Sequence, residues 1–271
     1  MPRGAAETED MMRQAKWLAA ACVGAALFMS GCGGLGGSYS DAAGQQKKEA
    51  VLRVGSDLNY PPFEYEDNGR PAGFDMELIA AVADRMGAKL KVENITFGDL
   101  IAAVNDNKVD AVISGMEGTD ARAKELTFCD PYVKKTGYAV LKNAGDNAVN
   151  GWNDLAGKVV ATQAGTRHTE LSIDFGAVRV EAFDEKENVI KALKDGKVAA
   201  AVLDAPVARY YADHDASLAV AGDVKYSDKG LVIAVKKGNT ELQKQINGAL
   251  KSLRDDGTYD KLYKDWFGGA Q

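Results

Sequence analysis

From Val51 onward, short apolar runs alternate with stretches in which apolar residues recur every three or four positions. Residues 51–55 predict a strand, 77–86 a helix that ends near Gly87, 90–92 a strand, 97–105 a helix and 110–114 a buried strand. A second series opens after the apolar run at 138–141. It has strands at 158–162, 178–182 and 199–204, with helical patterns starting at 166–174 and 187–195 between them. Residues 230–235 then return as a strand, and 240–255 and 259–266 close the chain as helices. Alternation of this kind predicts mainly parallel sheets covered by helices on both faces. The units repeat in architecture and not in sequence. Two α/β lobes of about ninety residues each suit the length better than one large sheet.

The first 49 residues follow a different pattern. Arg13 and Lys16 precede an almost unbroken apolar stretch at 17–29, then come Ser30, Gly31 and Cys32. Positive charge, a short apolar middle and small residues read as a secretory signal, too short for a stable membrane span. The run Met29-Ser30-Gly31-Cys32 resembles the bacterial lipobox, in which the signal is cut before a cysteine that becomes lipid-modified, although leucine is usual where Met29 stands. An unmodified secretory signal or an inert N-terminal helix is the plainer alternative. Residues 1–31 are thus expected to be the signal, with Met1, Met11 and Met12 as candidate starts. Residues 32–49 are expected to be the lipidated cysteine and a Gly/Ser/Ala/Gln-rich tether.

Composition narrows the classes of function. The chain of 271 residues is 46% hydrophobic and 27% charged, ordinary values for a globular protein. A formal charge of -6, with no basic block, argues against nucleic acid as a partner. The cysteines Cys22, Cys32 and Cys129 form no CxxC, and His168 and His214 stand far apart, so neither a metal nor a cofactor is expected. With Cys22 removed and Cys32 modified, Cys129 is left without a disulfide partner.

Three motifs carry a resemblance. Gly55-Ser-Asp-Leu-Asn-Tyr60-Pro-Pro-Phe63 with Gly73-Phe-Asp-Met-Glu77, then Asp110-Ala-Val-Ile-Ser-Gly-Met-Glu-Gly-Thr-Asp-Ala-Arg122, and last Asp256-Gly-Thr-Tyr-Asp-Lys-Leu-Tyr-Lys-Asp-Trp266-Phe stand in order over residues 51–267. They resemble the family 3 bacterial extracellular solute-binding proteins, the substrate-binding parts of amino acid ABC transporters. The stretch from Ile113 to Glu117 is closest to the arginine branch, and Asp57 to other binders of basic amino acids. The resemblance implies the type II periplasmic binding protein fold. Residues 50–137 and 230–271 would make a discontinuous first lobe and 138–229 the second, joined by a two-strand hinge. It also implies a free L-amino acid as ligand, a membrane permease as partner, a lipid-anchored location in the cell envelope, and a monomer.

A free amino acid must lose water from both its charges when such a cleft closes, and buried charges are tolerated only when paired. The resemblance assigns the carboxylate to Arg122, whose planar fork suits it, and to the backbone N–H of Thr166 at a helix start. It assigns the ammonium to Asp204, with Ser114 and Gly115 adding oxygens; otherwise a strand-end aspartate serves as a cap. Tyr60 and Phe97 are expected to flank the ligand's stem, where a guanidinium stacks, with core packing as their ordinary role. Asp57 is expected at the far end of the pocket, and Met116 and Gln163 belong to the matched positions. Glu117 stands where most relatives carry Ser or Thr. It takes the ammonium or reaches a cationic side chain, and in either case favours a cationic ligand. Arg167 opposes such a ligand if it points inward. Two other functions remain open on this scaffold: an enzyme of the cyclohexadienyl dehydratase type with Glu117 as acid, and an amino acid-sensing receptor.

Overall fold

The computed structural model describes residues 50–268, so the expected signal, Cys32 and the tether lie outside the described residues. The first five-stranded sheet has the order β5 (Ala88–Asn94), β1 (Ala50–Ser56), β6 (Ala111–Val112), β13 (Ala234–Lys236) and β7 (Leu126–Phe128). The second has the order β10 (Arg179–Phe183), β9 (Val159–Gln163), β11 (Ala200–Asp204), β8 (Thr136–Asn143) and β12 (Leu218–Ser227). In each sheet four strands run one way and the fifth, β13 or β8, opposes them. Those reversed strands are the ones the chain enters directly after crossing between sheets. The two crossing segments pair with each other: Cys129 N donates to Ile233 O at 2.8 Å and Leu231 N to Val133 O at 2.9 Å. Two mainly parallel α/β lobes joined by two crossing strands are the architecture the residue pattern and the resemblance had implied.

Local sequence explains most elements. All five residues of β11, Ala-Ala-Val-Leu-Asp, are buried, as a strand covered on both faces requires. Helix α6 (Thr240–Asp255) buries Ile246, Ala249, Leu250 and Leu253 on one stripe, and the Asn239 side chain caps it by accepting from Leu242 N at 3.2 Å. Two expected strands are shorter. Residues 110–114 contribute only Ala111 and Val112, because the Asp110 carboxylate is held by Arg53 (Nη2–Oδ1 2.6 Å) and the chain turns toward the cleft at Ser114 and Gly115. Residues 230–233 serve in the crossing segment, and β13 starts only at Ala234.

Several elements were not foreseen. Helix α5 (Ala205–His214) opens immediately after Asp204, with Pro206 in its first turn. Strand β12 is interrupted by a register shift between Ala221 and Lys225, which obscures its alternation. A small sheet of β2 (Asn59–Tyr60), β3 (Glu64–Asp67) and β4 (Arg70–Ala72) leads into helix α1 (Phe74–Arg85). The start of α1 is docked on the turn before β3: Phe74 N donates to Pro62 O at 3.0 Å and Asp75 N to Phe63 O at 2.8 Å. These bonds satisfy N–H groups that a helix start otherwise leaves unpaired.

Gly73 makes that docking possible. Its φ is +114°, and a Cβ there would sit 2.3 Å from Phe63 O. Gly73→Ala is therefore expected to cost about 3 kcal/mol or more. Gly69→Ala, at φ +76° with nothing within 4 Å of an added Cβ, should cost only about 1 kcal/mol. Urea denaturation of the two variants checks the contrast.

Candidate functional site

The cleft walls meet through direct contacts between lobes. Tyr60 OH donates to Asp204 Oδ2, and Gln163 Nε2 donates to Asp57 Oδ2 at 3.1 Å. Arg122 Nη2 donates to Gly165 O at 3.0 Å, and Asn59 Nδ2 to Glu185 Oε2 at 2.8 Å. Between them lies a cavity of about 20 Å³ lined by Tyr60, Glu64, Phe97, Ser114, Gly115, Gln163, Thr166, Lys186 and Asp204. A larger groove of about 580 Å³ runs beside the crossing segments, but its charged lining residues are Lys134, Lys135 and Arg209, with no acid to meet an ammonium.

Most residues singled out from sequence converge here. Tyr60, Phe97, Ser114, Gly115, Gln163, Thr166 and Asp204 all line the small cavity. Arg122 is outside the lining but packs on one of its rings, with its guanidinium carbon 5.1 Å from the Phe97 centroid. Two of its five N–H donors go to backbone carbonyls, Glu117 O at 2.8 Å and Gly165 O, which leaves three for another acceptor. Burial lowers the Arg122 pKa, against the pull of Glu117 and Asp204. Asp204 occupies the N-cap position of α5, yet its side chain makes no cap hydrogen bond. It faces Tyr60 and, at 3.4 Å, His168 Nε2 instead. The cap role for this aspartate is thus set aside by the geometry.

Three residues stand differently from expectation. Asp57 is behind the lining, buried, its pKa raised by desolvation against the opposing charge of Lys186. The Met116 side chain packs in the apolar cluster of Leu100, Val104, Val112 and Leu126, where its flexible thioether fills the core, and only its backbone runs along the cleft. The Glu117 carboxylate turns to the hinge: Oε1 accepts from Tyr138 OH at 2.8 Å and Ser227 Oγ at 2.6 Å, and only its backbone carbonyl reaches Arg122. Arg167 is exposed, and its neighbour His168 is the residue that faces Asp204.

The sequence reading overlooked Glu64, Asp75 and Lys186. Ser114 Oγ donates to Glu64 Oε1 at 2.9 Å and accepts from Asp57 N at 3.0 Å. Asp75 Oδ2 accepts from Gly115 N and from Tyr132 OH, both at 2.8 Å. The remaining oxygens, Glu64 Oε2 and Asp75 Oδ1, are buried without another partner. Burial, with Asp75 beside it, pushes the Glu64 carboxyl well above the usual range, and burial pushes Asp75 up to about 6. Asp75 lay inside a motif and Glu64 directly after one, but a raised pKa is a property of burial that no motif spells out. Lys186 had a clearer signal. It is the first of Lys186, Val189, Ile190 and Leu193, the buried stripe of helix α4 (Lys186–Lys194), where an apolar residue is expected.

Two lobes, two crossing segments, and a small cavity between the lobes, lined by Asp204 and by the ring on which Arg122 packs, fit a protein that captures a small solute in its cleft. The chain belongs to the bacterial extracellular solute-binding proteins, family 3, with residues 52–269 matched. It is 33% identical over 265 residues to the arginine-binding extracellular protein ArtP of Bacillus subtilis (strain 168), covering 94% of this chain and 99% of that one. An ancestral arginine-binding protein bound to glutamine has a similar structure, with a TM-score of 0.77 and 36% identity over 82% of this chain and 99% of that one. The same kind of protein bound to arginine gives a TM-score of 0.76 and 37% identity over 81% and 99%. These relatives are binding proteins by name, and the enzyme alternative is not favoured.

The carboxyl pair has a measurable consequence. In the folded chain Glu64 keeps its proton above the pH at which an unfolded glutamate releases it. Its stabilising contribution is then full below the ordinary carboxylate range and declines as pH rises through that range toward the raised folded pKa. Glu64→Gln should flatten that part of the pH–stability curve and change stability by within about 1 kcal/mol at neutral pH, whereas Glu64→Ala should cost about 3 kcal/mol. Infrared difference spectra at neutral pH should show a protonated-carboxyl stretch in the parent that is missing from Glu64→Gln.

Proposed function

We propose that the protein is the substrate-binding lipoprotein of an ABC-type amino acid importer and closes its lobes on a free L-amino acid, with a basic one, arginine, favoured. The observation that carries this reading is that Asp204 of one lobe lines the cavity together with Phe97 of the other, and the Arg122 guanidinium packs on that ring. The ligand carboxylate takes the remaining Arg122 donors and backbone N–H groups near Thr166. The ammonium takes Asp204, aided by the Ser114 and Gly115 oxygens. A ligand bonded to both lobes stabilises only the closed arrangement, which is the differential interaction that closure requires.

The preference for a basic ligand rests on the acids gathered here, Asp57, Glu117 and Asp204, and on the Tyr60 and Phe97 rings, whose faces suit a guanidinium. The arginine-binding relatives point the same way. Cys32 is the proposed site of lipidation, including palmitate, after export and removal of a signal. The anchored monomer would then deliver its ligand to a membrane permease.

A thermal-shift screen across the standard amino acids should raise the melting point most with arginine. Arg122→Ala is expected to weaken every amino acid alike, by at least about a hundredfold in calorimetric titration. Affinity retained within about tenfold, or about 1.4 kcal/mol, would remove Arg122 from the site. Cys32→Ser should release the expressed protein from the membrane fraction. Retention there unchanged would show that the anchor is elsewhere.

A further inference from the structure

Lys186 is the cation that the acidic pocket already contains. It starts α4 in the second lobe, is 1% exposed, and reaches across the cleft to lie with Nζ 3.4 Å from the Tyr60 ring centroid. Its one hydrogen bond goes to Asn59 Oδ1 at 3.2 Å, so two of its three N–H donors are not used in this way. Glu64 when ionised, and Asp57, Glu187 and Asp204, act on it electrostatically, but none forms a close ion pair with it among the described residues. This is a buried ammonium held mainly by a ring face and by the field of acids around it. The same ring and the same acids are those the proposed basic ligand would use.

We infer that Lys186 is a specificity-determining residue, an internal competitor whose ammonium holds the seat on Tyr60 beside Asp57 that the side-chain cation of arginine or lysine would need. The inference rests on the amino acid-binding reading above and adds to it what sets the choice among ligands. A guanidinium entering this seat must displace Lys186 or share the pocket with it, and like charges at close range in a desolvated site repel. A neutral amide such as glutamine can leave Lys186 in place and accept a hydrogen bond from one of its unused donors. Related clefts hold both glutamine and arginine, so the scaffold admits either side chain. Lys186 narrows the margin of arginine over glutamine that Asp57, Glu117 and Asp204 create.

Burial lowers the Lys186 pKa to about 8, against the surrounding acids, which raise it. As pH rises through that value the competitor loses its charge, and arginine should gain on glutamine. Both ligands carry the same α-amino and α-carboxylate groups, so the ratio of their affinities cancels the titration of those groups.

The test is calorimetric titration of arginine and glutamine from about pH 6 to about pH 9, on the parent and on two variants. In the parent the arginine-to-glutamine affinity ratio should rise with pH. In Lys186→Met, which keeps length without charge, the ratio should be at least about tenfold higher at pH 6 and rise less with pH than in the parent. In Lys186→Arg, whose charge does not titrate here, the ratio should stay low throughout. A parent that binds arginine with a pH-independent ratio, or a Lys186→Met ratio that is unchanged or lower, overturns the role of Lys186 and leaves the amino acid-binding reading standing. Failure of parent and variants alike to bind either ligand overturns that reading, and this assignment with it.

Discussion

Charge that loses water must find a partner, and in this molecule the partners are supplied from across a cleft. Arg122 gives a donor to Gly165 O, Tyr60 gives its hydroxyl to Asp204, and Gln163 gives its amide to Asp57. Each contact joins a group of one lobe to a group of the other. Neither lobe alone can satisfy its own cleft face once the walls approach, because an isolated buried charge or hydroxyl is costly. That constraint explains why the site is assembled from chain segments as distant as Asp57 and Asp204. The two sheets are linked by crossing segments that are hydrogen-bonded to each other.

Glu117 connects this chemistry to the hinge. Its carbonyl holds Arg122, while its carboxylate is held by Tyr138 on β8 and Ser227 at the end of β12, the strands on either side of the crossings. Glu117 therefore stands between the guanidinium and the crossing segments. Its carboxylate is engaged at the hinge and is turned from the cleft, which differs from the direct pairing that its place in the motif had implied.

Much of this was legible in the residues. Alternating apolar runs imply the two α/β lobes, and the resemblance singles out Arg122, Asp204, Tyr60 and Phe97, which the fold brings to the cleft. They stand in motifs whose chemistry is local: a strand end, a helix start, a ring next to a turn. What escaped was relational. The raised pKa values of Glu64 and Asp75 arise because two segments fold onto each other and exclude water. Lys186 stands at a helix start, and only its place on a buried stripe marks it out. Strand β12 was missed because its bulge breaks the alternation, and α5 opens directly at the end of β11 with a proline in its first turn.

The second sheet is drawn entirely from one unbroken stretch, Thr136–Ser227, whose two ends lie side by side at the crossings. A cassette bounded in this way can be exchanged by two recombination events without cutting any sheet. Such an exchange would carry Gln163, Thr166, Lys186 and Asp204 together while leaving Tyr60, Phe97 and Arg122 in the recipient. Half of the cleft lining can in this way be replaced as one block, with Tyr60, Phe97 and Arg122 kept.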